Sequence, residues 1–381
     1  MNNIDREYKK AIKYILANGR KKADRTGTGT ISVFDYNMKF DLSEGFPILT
    51  SKKVSIKNVY IELLWFLGIH MQDEKYKPFG LTNIKYLVDN KCYIWVGDVY
   101  KKYENDILRQ REIQKKQVER MRKEGKLIKV STIEMLSIEE FTEKCKTDDE
   151  FVKTWGNLGS VYGKQWINWD VYEQYRMTDT DGKRYYGKKD PINQIQNLIS
   201  NIKKDPDSRR LLVNAYNVGE LDKMVLPPCH IGFQCYTFEM TEDERCDKWR
   251  KQNNKSNYYD VKKEYLDEIE FPVRKISLKF AVRSNDFFLG NPYNTSSYGL
   301  LLYMIGHVVN MIPHELSCTL GDTHLYLNHL DAANKLLEQP SFKLPTLNIK
   351  RKITDIFDFK LDDIELLNYK YSKVIKAPLS N

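Results

Sequence analysis

A cysteine stands where a nucleophile could act. Cys229 directly follows Pro227 and Pro228 and precedes His230. Because the proline ring fixes the backbone φ, a thiol here is held in one direction, which a nucleophile needs and a packing residue does not. Most intracellular cysteines are nevertheless buried and inert. On this segment alone, an unreactive buried thiol is the better interpretation.

Four arginines stand beside small or hydroxyl residues at the ends of predicted elements. Arg25 lies in a segment rich in Thr and Gly, and Arg283 precedes Ser284. Arg209 and Arg210 follow an aspartate and a serine. Forked guanidinium groups in such segments suit phosphate. Each one alone is more often a surface salt-bridge residue, but four that converged would bind a dianion and lower the pKa of a nearby thiol.

One glutamate interrupts a strongly apolar run. If this run is a helix, the neighbours of Glu62 on the same face are Val59, Trp65 and Phe66. An apolar wall would raise the pKa of the carboxyl, so that it could shuttle protons near neutral pH. A glutamate at the helix rim that reaches water is an equally good interpretation.

An asparagine ends the segment Gly290–Asn294, just before a helix predicted from Ser296. Asn294 either caps that helix or presents its amide to a ligand. In the second case, the amide can both donate to and accept from a 4-keto pyrimidine edge.

Two histidines and a tyrosine lie close together near the end of the chain. His324 and Tyr326 are two residues apart, and His329 follows. A metal site would be the first interpretation of paired histidines, but no carboxylate pattern supports it. Sugar hydroxyls are a better fit for these side chains.

Helical and strand-like periods alternate along the chain. Asp190-Pro191 is expected to open one helix and Asp205-Pro206 to end it. The predicted helices span 4–18, 54–67, 192–202, 296–311 and 324–337, and the predicted strands span 31–33, 38–40, 211–216, 231–238 and 276–282. This mixture predicts an α+β fold.

Composition limits the class of protein. The 381 residues carry a net charge of +9 and show no export signal or membrane span, and six scattered cysteines fit a reducing cytosol. The absence of repeats and linkers predicts one domain over 1–381, with charged insertions at about 98–153 and 241–275. Residues 101–130 alternate in charge sign, so a charged surface helix is favoured over a nucleic-acid arm.

Seven motifs, taken together and in this order, resemble the thymidylate synthase family. They are Asp24–Gly29, Glu62–Leu67, Val161–Trp166, Asp205–Arg210, Pro228–His230, Arg283–Asp286 and Gly321–Tyr326. The resemblance covers about 20–68, 82–95, 154–240 and 276–378. It implies a thymidylate synthase-like fold with a mixed sheet and packed helices, and a homodimer with shared sites.

The resemblance also implies a reaction. This is the methylation of deoxyuridylate (dUMP) at C5 to dTMP, with 5,10-methylenetetrahydrofolate as both carbon donor and reductant and with no metal. Uracil C5 is a poor nucleophile, and addition of a thiolate at C6 converts it to an enolate that can attack a one-carbon unit. Covalent catalysis is therefore expected.

Roles follow for residues that match the family's motifs. The catalytic set is Cys229 as the nucleophile, Glu62 as the proton relay, and Tyr162 and His230 in the same cavity. The substrate set is Arg25, Arg209, Arg210, Arg283 and Ser284 for phosphate, Asn294 for the base, and His324 and Tyr326 for the ribose. The folate set is Asp286, Trp95 and Gly290. The Arg209-Arg210 pair is expected to reach the partner subunit's site.

Three departures from the family pattern lie near the substrates. Val282 replaces a glutamine, Asp98 replaces a second tryptophan, and the tail ends with Ala377–Asn381. Such changes keep open an alternative, a pyrimidine nucleotide hydroxymethylase in which water replaces hydride. Asn294 favours uracil over cytosine but does not separate these two products.

Overall fold

A six-stranded mixed sheet organises the fold of the computed structural model, which describes residues 1–126, 132–175, 185–256 and 259–379. The strands in these ranges are β1 (Arg20–Lys22), β2 (Thr30–Asp41), β3 (Trp169–Tyr175), β4 (Tyr185–Ile192), β5 (Leu212–Asn214), β6 (His230–Glu239), β7 (Arg274–Asp286), β8 (Ile312–Tyr326), β9 (Thr346–Ile349) and β10 (Ile364–Leu367). The sheet runs β1-β2-β8-β7-β6-β5. Its neighbours are antiparallel except β7 and β8, which are parallel.

Helices cover one face of this sheet. Within the described ranges they are α1 (Asn3–Asn18), α2 (Ile56–Phe66), α3 (Lys85–Asp89), α4 (Val96–Lys123), α5 (Ile138–Thr147), α6 (Asp149–Trp155), α7 (Tyr162–Ile167), α8 (Gln194–Lys204), α9 (Glu242–Gln252), α10 (Lys263–Glu268), α11 (Gly290–Val308) and α12 (Leu330–Glu338). The β3–β4 and β9–β10 pairs form two small separate sheets. The α+β prediction therefore holds, with the predicted mixed sheet and packed helices.

The crossover helix α11 forms the centre of the core. It connects the parallel strands β7 and β8 and buries nearly every residue from Thr295 to Met304, because its apolar and small residues occur on every side of the helix. Tyr298 stacks on Phe280 of β7, with ring centroids 4.2 Å apart. Helix α2 packs against α11. These contacts fix the ends of β6, β7 and β8, where the candidate site lies.

The strand β8 corrects one helix prediction. The chain was expected to be helical from His324, but His324 and Tyr326 end a 15-residue strand paired with both β2 and β7. Helix α12 begins only at Leu330. Strand pairing satisfies the backbone on both sides through His324 and on the β2 side through Tyr326, which outweighs the helical period of the residues that follow.

Two further helix starts differ from the sequence prediction. Asp190-Pro191 lies in β4, and α8 begins after Asn193, whose side chain accepts from the Gln196 amide as an N-cap. Helix α11 begins at Gly290 and not at Ser296. Asn294 therefore lies inside the helix, and the capping interpretation was wrong.

The two charged segments contain their own helices. Helix α4 buries Val96, Val99, Tyr103 and Ile107 and exposes most of its later residues, so the predicted charged surface helix is present. In 241–275, helices α9 and α10 enclose a separate apolar cluster around Trp249. Residues 127–131 and 257–258 of these segments, and 380–381 of the tail, lie outside the described residues.

Candidate active site

The loop before β6 presents Cys229 beside a buried tyrosine. Tyr162, at the start of α7, accepts hydrogen bonds at Oη from the backbone N–H groups of Cys229 (2.8 Å) and His230 (3.2 Å). The thiol side chain is partly exposed, while the tyrosine is buried. One hydroxyl thus fixes the backbone on both sides of the Cys229 side chain.

Arg283 holds the same loop from β7. Its backbone N–H donates to the Cys229 carbonyl at 2.8 Å. Its guanidinium donates from Nε to the Pro228 carbonyl and from a terminal nitrogen to the Pro227 carbonyl, each at 2.9 Å. Proline carbonyls can accept but the proline nitrogens cannot donate, so an arginine suits this loop. The side chain stays exposed and can also face an anion.

The arginines do not by themselves make Cys229 acidic. Burial raises the pKa of the Cys229 thiol, and this effect exceeds the opposing effects of Arg283 and Arg25, while Asp98 raises the pKa further. The arginines therefore lower the thiol pKa, as expected, but burial outweighs them and the net shift is upward. Two of the four predicted arginines, Arg25 and Arg283, do act on the thiol electrostatically.

Glu62 faces an apolar wall, as one of the two interpretations predicted. It is 9% exposed on α2, and its Oε1 accepts a hydrogen bond from Trp95 Nε1 at 2.8 Å. Burial raises the pKa of Glu62 to about 7, although the Trp95 hydrogen bond opposes the rise. A carboxyl with this pKa exchanges protons readily near neutral pH.

His230 is a neutral, buried imidazole at the start of β6. Burial lowers its pKa to about 4, against the opposing effect of a side-chain hydrogen bond with Asn294. Its ring lies 5.2 Å from Tyr162 and 5.3 Å from Tyr298, centroid to centroid. Asn294 in the first turns of α11 is therefore oriented by His230, and the pair forms one polar unit beside Cys229.

A tight turn between β1 and β2 carries Arg25. The Asp24 carboxylate accepts from the Thr26 amide at 2.8 Å and from the Gly29 amide at 2.6 Å, which closes the turn. Gly29 has φ +78°, a conformation that favours glycine. The Arg25 side chain is exposed and acts electrostatically on Cys229 and Asp98.

The ends of β7 and β8 bring the remaining predicted side chains together. In register, Ser284 pairs with Asp322 and Asp286 pairs with His324. Asp322 Oδ1 lies 3.3 Å from His324 Nδ1, which places the ring hydrogen on Nδ1 and leaves Nε2 for a ligand. The Tyr326 ring stands perpendicular to His324, at 5.2 Å.

Asp286 connects this edge to the start of α11. Its Oδ1 accepts from the backbone N–H groups of Phe288 and Leu289, both at 3.0 Å. A Cβ atom at Gly290 would lie 3.5 Å from the Asp286 Cβ. Burial raises the pKa of Tyr326, with smaller effects from Asp286 and other nearby groups.

One predicted pair of arginines lies at the edge of the sheet. Arg209 and Arg210 precede β5, and both side chains are exposed at the sheet edge. The charged side chains that act on the Cys229 thiol are instead Arg283, Asp98 and Arg25. Within one chain, the predicted phosphate set therefore reduces to Arg25, Arg283 and Ser284.

Sequence reasoning did not assign three residues at the site. Asp98 was noted only as a departure, yet it is close enough to Arg25 and Cys229 to affect both. Buried Lys52 donates from Nζ to the Phe288 carbonyl at 2.6 Å, and burial lowers its pKa to about 8. His329 lies fully buried beside Asp286. The isolated sequence around each carries no signal, because every one of these contacts is tertiary.

Comparison with known proteins identifies the family. The sequence model of the family described as thymidylate synthase matches residues 6–381 of this chain. A thymidylate synthase of Mycoplasma mobile is 36% identical over 98% of this chain and 99% of its own length. Those of Malacoplasma penetrans and Buchnera aphidicola are 35% and 34% identical over the same shares. The chain therefore belongs to the thymidylate synthase family of methyltransferases.

Proposed function

We propose that this chain converts dUMP and 5,10-methylenetetrahydrofolate to dTMP and dihydrofolate. One observation carries the proposal. The Cys229 thiol is fixed by Tyr162 and Arg283. The Tyr162 ring lies 6.0 Å from that of Trp95, centroid to centroid, and Trp95 donates to Glu62, a carboxyl with a pKa near 7. A rigid thiol with a proton-exchanging group nearby is what addition to a pyrimidine ring requires.

In the first step, the Cys229 thiol loses its proton to water, and the resulting thiolate forms a bond from Sγ to C6 of the uracil. The electrons of the C5–C6 double bond move toward O4, which makes C5 nucleophilic. Asn294, oriented by His230, is placed to donate to the charge that develops at O4. Burial keeps His230 neutral, so the pair offers hydrogen bonds without a second positive charge.

Glu62 then serves the proton transfers. The C5 proton must leave after C5 has bonded to the one-carbon unit, and the Sγ–C6 bond must break at the end to release the product and restore the Cys229 thiol. Because its pKa lies near 7, it can accept a proton and return one within the same cycle. Trp95 Nε1 donates to Oε1 and orients the carboxyl. The phosphate dianion is bound by Arg25 and Arg283, and the ribose by His324 and Tyr326.

Methylenetetrahydrofolate supplies both the carbon unit and the hydride. The residues that we assign to it are Trp95, Asp286 and Gly290. Asp286 fits a polar heterocycle, because its Oδ1 is already held by two backbone N–H groups and the carboxylate is therefore preoriented. The indole of Trp95 supplies an apolar wall.

The test is the mass of the nucleotide product. Purified protein with dUMP and methylenetetrahydrofolate should give a nucleotide heavier by one methyl group, with dihydrofolate released in equal amount. The Cys229→Ala variant should give neither. A hydroxymethyl product without dihydrofolate would instead establish the hydroxymethylase, a name that none of the relatives above bears.

We also propose a homodimer with shared sites, built on the open face of the six-stranded sheet. Phe34 is 84% exposed and Tyr236 is 65% exposed on this face, and a depression of about 580 Å³ lies beside Tyr236. Large apolar side chains on an open sheet favour burial against a partner. Arg210 directly precedes β5 at the edge of the same sheet, where it could enter the partner's cleft.

Two inactive variants test the shared site. Cys229→Ser and Arg210→Glu should each abolish activity in homodimers. Coexpression of the two chains makes heterodimers with one intact site, so about a quarter of the native activity should return if pairing is random, which gives half heterodimers. No recovery, with heterodimers present by native mass spectrometry, would show that each site is built from one chain.

We propose one catalytic domain over 1–381, with the segments at about 98–153 and 241–275 as charged insertions. Among the described residues, most of the large apolar core is one cluster, and the cluster around Trp249 is separate. We place the protein in the cytoplasm, because all six cysteines are free thiols. In the described ranges, no helix combines the length and apolarity that crossing a membrane requires.

A further inference from the structure

A buried histidine contacts the C-terminal tail. His329 is 0% exposed, and its Nε2 lies 2.7 Å from the carbonyl oxygen of Pro378, 49 residues further along the chain. A carbonyl only accepts, so Nε2 carries the hydrogen and donates it. The Pro378 side chain itself is exposed. The histidine therefore holds the backbone of the tail and not a packed side chain.

The other side of the same ring faces the candidate folate site. His329 Nδ1 has no hydrogen-bond partner among the described residues and lies 3.9 Å from Asp286 Oδ1. The ring also meets Tyr326 at 5.4 Å and Phe288 at 5.6 Å, centroid to centroid. One rigid imidazole thus stands between the tail and the aspartate that we assign to folate.

The tail has a separate anchor before this contact. The Ser372 amide donates to the Thr50 carbonyl, and its hydroxyl donates to the Pro340 carbonyl, both at 2.8 Å. Residues 373–377 lie between that anchor and Pro378. Loss of the His329 contact would therefore release only the last residues, while the tail up to Ser372 stays in place.

We propose that His329 is a positioning residue that couples the seating of the C-terminal tail to the Asp286 side of the folate site. This inference rests on the proposed function for the role of Asp286. The His329 ring transmits the coupling, since its two nitrogens face the tail carbonyl and the carboxylate. The bound tail and the bound folate should consequently stabilise each other.

A pair of variants tests the hydrogen bond. His329→Leu removes the donor, and His329→Gln keeps an N–H near the position of Nε2. With dUMP bound, His329→Leu should weaken methylenetetrahydrofolate binding by roughly threefold to tenfold, the range for one hydrogen bond. It should also speed carboxypeptidase release of Leu379 by a similar factor. dUMP affinity should stay unchanged, and His329→Gln should restore most of the folate affinity.

A truncation separates positioning from packing. If His329 acts through the tail, a chain that ends at Ala377 should bind folate weakly, and adding His329→Leu to it should change folate binding less than twofold. A further loss of tenfold in the truncated chain would show that His329 supports the site by packing, which would overturn the inference. Unchanged folate affinity and Leu379 release in full-length His329→Leu would overturn it as well.

The native chain provides the control for the underlying function. If native protein forms no dTMP, the proposed function fails, whatever the variants do. If native protein forms dTMP and the variants behave as native, only the role of His329 fails. Circular dichroism of both variants, matching the native spectrum, establishes that neither result reflects unfolding.

Discussion

Glu62 should make the protein less stable as the pH rises. Its pKa is about 7 in the folded chain, against an ordinary value of 4.5. The unfolded chain loses this proton first, so the free energy of unfolding falls between pH 4.5 and 7 and stays low above pH 7. One pKa unit is worth about 1.4 kcal/mol, so the full effect is on the order of 3 kcal/mol.

Glu62→Gln removes this charge and keeps an oxygen that can accept from Trp95 Nε1. The variant should therefore be more stable than the native chain by about 3 kcal/mol at pH 8.5 and by only about 1 kcal/mol at pH 5. Its kcat should fall by at least about a hundredfold, because the proton relay is lost. Urea denaturation at the two pH values measures the first effect, and initial rates measure the second.

The matched control is Glu365→Gln, at an exposed position on β10. The free energy of unfolding of that variant should match that of the native chain at both pH values, and its kcat should be unchanged. The reasoning about Glu62 would be refuted if Glu62→Gln gave the same stability gain at pH 5 and pH 8.5. It would also be refuted if the variant kept native kcat.

Three further predictions concern the Cys229 loop. Tyr162→Phe leaves two backbone N–H groups without their acceptor, so urea denaturation should show a free energy of unfolding lower by about 1–3 kcal/mol. The control is Tyr172→Phe at an exposed position, which should leave the free energy of unfolding unchanged. Asp98→Asn should lower the thiol pKa and speed alkylation of Cys229 at pH 8. The rate can be measured because the other five cysteines are buried, and an unchanged rate would contradict the electrostatic effect of Asp98 on the thiol. Arg283→Lys should raise the dUMP KM at least about tenfold, since lysine cannot reproduce the forked contacts, and a native KM would contradict its role.

The sequence identified much of the site because its chemistry depends on residue type and local pattern. The apolar neighbours of Glu62 were visible at helical spacing, and burial raises the carboxyl pKa as one interpretation held. The two prolines before Cys229 indicated a fixed thiol, and the structure adds the Tyr162 and Arg283 contacts that fix it.

What the sequence did not predict depends on tertiary contacts. The strand character of His324 comes from pairing with β2 and β7, which a local helical period cannot reveal. The net rise in the Cys229 pKa reflects burial, which only packing determines. The 49-residue separation between His329 and Pro378 likewise hides their contact from any local pattern.

The most direct test of the central claim is to find where the nucleotide becomes attached. With 5-fluorodeoxyuridylate and methylenetetrahydrofolate, the C5 substituent cannot leave as a cation, so an adduct should accumulate. After an acid quench and digestion, the peptide that contains Cys229 should be heavier by the nucleotide and the carbon donor together. An adduct on a different residue, or dTMP formation from dUMP by the Cys229→Ala variant, would contradict covalent catalysis by this thiol.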